Sequence, residues 1–86
     1  MDIGVEISLY PLTADYVPSI HRFLEDLSAH HGLRVVTNSM STQVFGDFEE
    51  VMDALRAALA VGFGRLAAAS ERAAFVMKVI GPLPDA

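Results

Sequence analysis

Short hydroxyl and amide side chains crowd one stretch of this 86-residue sequence, at Asn38, Ser39, Ser41 and Thr42, and another hydroxyl stands at Ser8. Such groups offer uncharged hydrogen-bond donors and acceptors. They suit the polar edge of a bound molecule, although Asn38 and Ser39 are equally ordinary turn formers. The three histidines raise metal chemistry. His30 and His31 are consecutive at a helix end and point about 100° apart, and His21 is nine or ten residues earlier on no obvious shared ligand face. No metal site is expected; interaction of His30 or His31 with a helix C-terminus is the better reading. Serine, histidine and aspartate all occur, but no nucleophile elbow, phosphate-binding glycine loop or helical metal motif groups them. The chain is expected not to be an enzyme.

Six Lys and Arg stand against eleven Asp and Glu, a net charge of −5, which disfavours partners held through their phosphates. An RNA-binding sheet would also need aromatic and basic groups on its open face, and Arg34 and Lys78 are the only cations on the expected strands. No nucleic-acid partner is expected. The absence of cysteine removes disulfides, thiolate metal sites and a thiol nucleophile. Hydrophobic residues make up 52% and charged residues 20%, and so short a chain has too little interior to hide them all. A self-associating face is the economical outcome, so a homodimer or tetramer is expected. Residues 1–86 read as one domain. The N-terminus carries no basic-then-apolar leader and apolar runs are broken early, which predicts a cytoplasmic protein with no membrane insertion.

The elements that must position the polar residues follow from periodicity. Val5, Ile7 and Leu9 alternate with Glu6, Ser8 and Tyr10 at the period of a half-buried strand, closed by Pro11. Thr13 and Asp15 are candidate caps for a helix with Pro18 in its first turn. Tyr16, Ile20, Phe23, Leu24 and Leu27 form its apolar stripe, and Gly32 is the natural stop. Leu33 to Thr37 and Ser41 to Phe45 read as a hairpin about the turn residues Asn38 to Met40. Asp47 can cap a second helix, with Glu50 placed for a capping box. Its stripe runs from Val51 to Leu66, and Gly62 and Gly64 are where it is expected to fray or stop. A last strand, Ala73 to Ile80, ends at Gly81 and Pro82. The fold class is therefore α+β: a ferredoxin-like βαββαβ sandwich, a four-stranded antiparallel sheet with two helices on one face. The other face stays open, with Glu6 opposite Lys78.

Two blocks carry a family likeness. The run from Gly4 to Thr13 (GVEISLYPLT) followed by Asp15 and Tyr16, and the run from Ser41 to Asp47 (STQVFGD) leading into a helix with Val51 and Met52, resemble the YkoF-related family. Its members bind thiamine or its hydroxymethylpyrimidine portion on a ferredoxin-like fold that holds no iron–sulfur cluster. A more distant likeness is to the small single-domain thiamine-binding proteins. The family's members carry two such domains in tandem, so a homodimer of this chain would have to reproduce the pair.

The resemblance implies a binder of thiamine, hydroxymethylpyrimidine or a related heterocycle, possessing no catalytic cofactor. An aminopyrimidine needs a few fixed polar groups in an apolar slot. Ser8, Asn38, Ser41 and Thr42 would then read the ring edge and Tyr10 or Phe45 would stack on it. Glu6 or Asp47 would attract a thiazolium cation. Asp47 is equally a helix cap, and Glu6 equally a partner of Lys78. The competing reading is a non-catalytic oligomerisation or regulatory module that pairs through its open sheet face. A third is an enzyme whose sheets enclose a site, which would need a buried acid or histidine there.

Overall fold

Alternation along the first strand sets the architecture. In the computed structural model, which describes residues 1–12, 17–30 and 32–84, β1 spans Asp2–Pro11 and sends Ile3, Val5 and Ile7 into the core. Thr13, Asp15, Tyr16 and His31 lie outside the described residues, as do the side chains of Pro18, Ile20 and His21. Helix α1 (Val17–Ser28) buries Phe23 and Leu27 and leaves Arg22 and Glu25 exposed. It stops four residues short of Gly32. That glycine, at φ +86, instead makes the reversal into β2 (Arg34–Thr37), in a region that side chains with a Cβ rarely enter.

Strand β3 (Thr42–Asp47) directs Thr42 and Val44 to the helices. Helix α2 (Phe48–Ala68) then buries Val51, Ala54, Leu55, Ala58 and Leu66 along one stripe. It runs unbroken through Gly62 and Gly64, against the expected fraying. Each glycine costs about 1 kcal/mol relative to alanine, and an apolar stripe that continues to Leu66 offsets that cost. Its end is a tight C-terminal motif: Ser70 adopts φ +56, and the N–H groups of Ser70 and Glu71 donate to the carbonyls of Ala67 and Leu66 at 3.1 and 2.8 Å.

Strand β4 (Ala73–Leu83) continues past the expected stop at Ile80. A register shift between Asp2 and Gly4 lets Leu83 pair with Asp2, and Pro82 is tolerated because β4 is an edge strand. The sheet order is β2-β3-β1-β4 with every neighbouring pair antiparallel. The four-stranded sheet with two helices is the expected ferredoxin-like α+β fold. Phe75 on β4 closes the core against Phe23, with ring centroids 4.8 Å apart, and Phe63 meets it edge-on at 5.2 Å. No helix among the described residues is long and apolar enough to cross a membrane.

Ser70 holds a left-handed backbone where glycine is commonest, which costs an L-residue about 1–2 kcal/mol. Ser70→Gly should therefore raise the unfolding free energy by about 1 kcal/mol. Urea denaturation followed by circular dichroism checks this, and an unchanged midpoint would mean that the turn carries no strain.

Candidate functional site

The site arises from strands of unequal length. Pairing of β1 with β3 ends at Ile7 opposite Thr42, whereas β1 runs on to Pro11 beside β4. Ser8, Leu9 and Tyr10 thus project past the β2–β3 turn along a side where β3 has already ended. Backbone groups alternate sides along a strand, so part of this segment's hydrogen-bonding capacity faces the step.

The turn itself is held by Asn38. Its Oδ1 accepts from the N–H of Met40 at 2.8 Å and of Ser41 at 3.1 Å, and its own N–H donates to the Ser41 carbonyl at 3.1 Å. An Asx turn of this kind occupies the side-chain oxygen and leaves the amide NH2 to donate elsewhere. Thr42 is 93% buried and shares a 3.0 Å hydrogen bond with the Thr37 hydroxyl. Ser41 donates from Oγ to Glu6 Oε2 at 3.1 Å, and Lys78 Nζ lies 3.8 Å from Glu6 Oε1. The expected contact between Glu6 and Lys78 is thus present, though exposed and of small energy.

These elements enclose a notch of about 200 Å³. Its lining is polar at Ser8, Tyr10, Thr37, Asn38, Ser39, Ser41 and Thr42 and apolar at Ile7, Leu9, Phe23, Leu24 and Met40. Five of the eight residues singled out in the sequence therefore line it, Thr42 from the helix-facing side of the sheet and Ser8, Tyr10 and Ser41 with side chains directed to the other side. The other three do not line it. Glu6 touches it only through Ser41. Phe45 lies three residues from Thr42, an odd step, so it points to the opposite face of the sheet, where the Arg34 guanidinium sits 4.4 Å from its ring centroid. The ring also covers Gly4, where a Cβ would meet Phe45 Cε1 at 2.9 Å.

Asp47 stands at the far end of β3, roughly 16 Å along the strand from Thr42. There it is the α2 cap: Oδ2 accepts from the Glu49 N–H at 3.2 Å and Oδ1 lies 3.4 Å from the Met1 ammonium. Glu50, the expected second arm of a capping box, is placed elsewhere, its Oε2 lying 2.9 Å from where a Cβ on Gly32 would sit.

Sequence reasoning missed the apolar half of the notch. Phe23 and Leu24 read as core stripe, and nothing local marked them as facing a cavity. An aromatic for stacking is thus available from Tyr10 at the mouth, 56% exposed, or from buried Phe23. Among the described residues no three metal-ligating side chains come together.

Comparison with known proteins bears on the family and the fold. The sequence pattern of the YKOF-related family matches residues 2–76. No curated protein matches. Among solved structures, a protein of Streptococcus pneumoniae superposes with a TM-score of 0.83 at 20% identity, over 96% of this chain and 89% of its own. A Thermotoga maritima protein described as a candidate thiamine biosynthesis/salvage protein gives 0.79 at 21%, over 95% and 85%. A hypothetical protein of Methanocaldococcus jannascii gives 0.78 at 22%, over 99% and 84%. At these identities the likeness establishes a shared fold.

The cap and the notch are separable by experiment. Asp47→Ala should lower stability by about 1 kcal/mol through loss of the cap. It should leave any ligand affinity of the notch unchanged. Denaturation and calorimetric titration of the same variant check both halves, and a large affinity loss with intact folding would place Asp47 in the site.

Proposed function

The chain belongs to the YKOF-related family, and on that premise we propose that it is a small-molecule binding protein for hydroxymethylpyrimidine, thiamine or a related heterocycle. The observation that carries this reading is the notch, whose lining combines hydroxyl- and amide-bearing residues with apolar side chains. A flat ring with a polar edge needs such a slot. The notch, at about 200 Å³, falls below the roughly 300–1,000 Å³ of pockets that hold drug-sized ligands, so it suits one small ring. The pyrimidine would enter and the thiazolium of thiamine would remain at the mouth, on the side where Glu6 lies.

Within that pose the Asn38 amide NH2 donates to a ring nitrogen. The Thr42 hydroxyl, on the helix-facing side of the sheet, meets the exocyclic amine or hydroxymethyl group, Ser8 and Ser41 contribute backbone groups because their side chains point to the other face, and Phe23 packs on the ring face. In this reading the protein holds its ligand without transforming it. The Thermotoga relative's description favours a role in uptake or salvage of the heterocycle. Association into a homodimer or tetramer is part of the same proposal. Val76 and Ile80 on the open sheet face are 51% and 64% exposed, which is surface that a second copy would cover.

Calorimetric titration of ligand-stripped protein with hydroxymethylpyrimidine and with thiamine tests the reading. Saturable binding of both is expected. Thr42→Val should weaken each by about 1 kcal/mol or more, through loss of a buried hydrogen bond, with the fold intact. Failure of both ligands to bind at millimolar concentration would sink the proposal and leave the oligomerisation module as the better account.

A further inference from the structure

A second cavity opens on the other side of Leu9 and Phe23, where the end of α2 and the start of β4 face α1. It holds about 210 Å³ and, unlike the notch, is lined by charge: Arg22, Arg65 and Glu71 stand around an apolar floor that includes Phe75 and Leu66. Arg65 is already engaged, donating from Nη1 to Asp26 Oδ2 at 3.1 Å. Arg22 makes no ion pair with a described residue. Glu71 is the unusual member. Its Oε2 is fully buried and has no hydrogen-bond partner. Folded proteins rarely leave a buried oxygen without a donor.

The backbone that delivers Glu71 is also held at a cost. Ser70 sits at φ +56, and the Glu71 N–H is fastened to the Leu66 carbonyl at 2.8 Å, so the carboxylate is carried inward by a tight and strained turn. Strain of this sort persists where the surrounding structure enforces it, and it is concentrated at ligand sites. A carboxylate oxygen without a donor, a cation with no ion pair among the described residues and an apolar floor together complement a small molecule that carries both charges.

We propose that this cleft is a second binding site, for a small zwitterion with an apolar body, of the class of the aliphatic and aromatic α-amino acids. The ligand ammonium pairs with the Glu71 carboxylate where that side chain lines the cleft, its carboxylate faces Arg22, and its side chain lies against Phe75 and Leu66. The site is distinct from the notch and does not depend on the heterocycle reading.

Titration of the full chain with L-leucine and L-phenylalanine by calorimetry tests the proposal. Saturable binding of at least one is expected. 3-Phenylpropionate, which lacks the ammonium, and 2-phenylethylamine, which lacks the carboxylate, should each bind at least tenfold more weakly than L-phenylalanine. Glu71→Gln and Arg22→Gln should each weaken amino-acid binding at least tenfold, while Thr42→Val leaves it unchanged. Arg22 is exposed, so its variant keeps the test alive should Glu71→Gln fold poorly. Glu71→Leu should also melt at a higher temperature than the ligand-free parent, since it removes the unsatisfied oxygen. The proposal is overturned if neither amino acid saturates at millimolar concentration. Analogues that bind as well as the amino acids, or variants that both retain full affinity, would overturn it equally.

Discussion

Everything in this fold depends on the pleat of β1. Ile3, Val5 and Ile7 are 97–99% buried beneath the helices, while the residues between them face the opposite side of the sheet. A slip of one residue would expose the whole apolar set and bury Glu6, so the hydrophobic pattern alone holds the strand in register against both neighbours. Once β1 is placed, β3 and β4 are placed by pairing to it, and the helices are placed by the need to cover Val5, Val44 and Phe75.

The notch is a by-product of the same register. Because Thr42 must lie opposite Ile7, the hairpin turn falls beside Ser8 to Tyr10, and the hydroxyl and amide groups that make a good turn are carried to the edge of the core. Asn38 serves both purposes at once, its oxygen spent on the turn and its NH2 left over. The open face is organised by weaker forces: Glu6 gathers Ser41 and Lys78, and Arg34 stacks on Phe45 over the bare backbone of Gly4. These are exposed contacts of a fraction of a kcal/mol to about 1 kcal/mol each, which order the surface more than they stabilise the fold.

What could be read from the sequence is what is local. The alternation from Val5 to Tyr10, the cap at Asp47 and the hairpin about Asn38 are each encoded within a few residues, and each is found. The order of elements followed from them, and so did the sheet with its two helices. Errors lie where a local rule met a longer-range one. Gly62 and Gly64 read as a helix end, yet packing as far as Leu66 carries the helix past them. The second strand of the hairpin runs two residues beyond its expected end because β1 remains alongside it as far as Asp2. The parity of β3, which divides Phe45 from Thr42, was present in the sequence as an odd spacing. The inward turn of Glu71 had no such signal, since it depends on a helix terminus and a left-handed serine that no periodicity announces.

The pairing of β1 with β4 imposes an order on folding. Glu6 faces Lys78, so the contact closes a loop of about 70 residues, and the chain entropy lost in closing it is on the order of 4 kcal/mol before any packing is gained. During synthesis, β1 emerges first and must wait for the last strand, its apolar face guarded only by the hairpin and the helices. The two cavities differ in this respect: every residue that lines the notch lies between Ile7 and Thr42, whereas the charged cleft takes Glu71, Ala73 and Phe75 from the final stretch of the chain. The charged cleft therefore cannot form before β4 is made and paired, and until that pairing the flank of β1 that β4 covers stays bare.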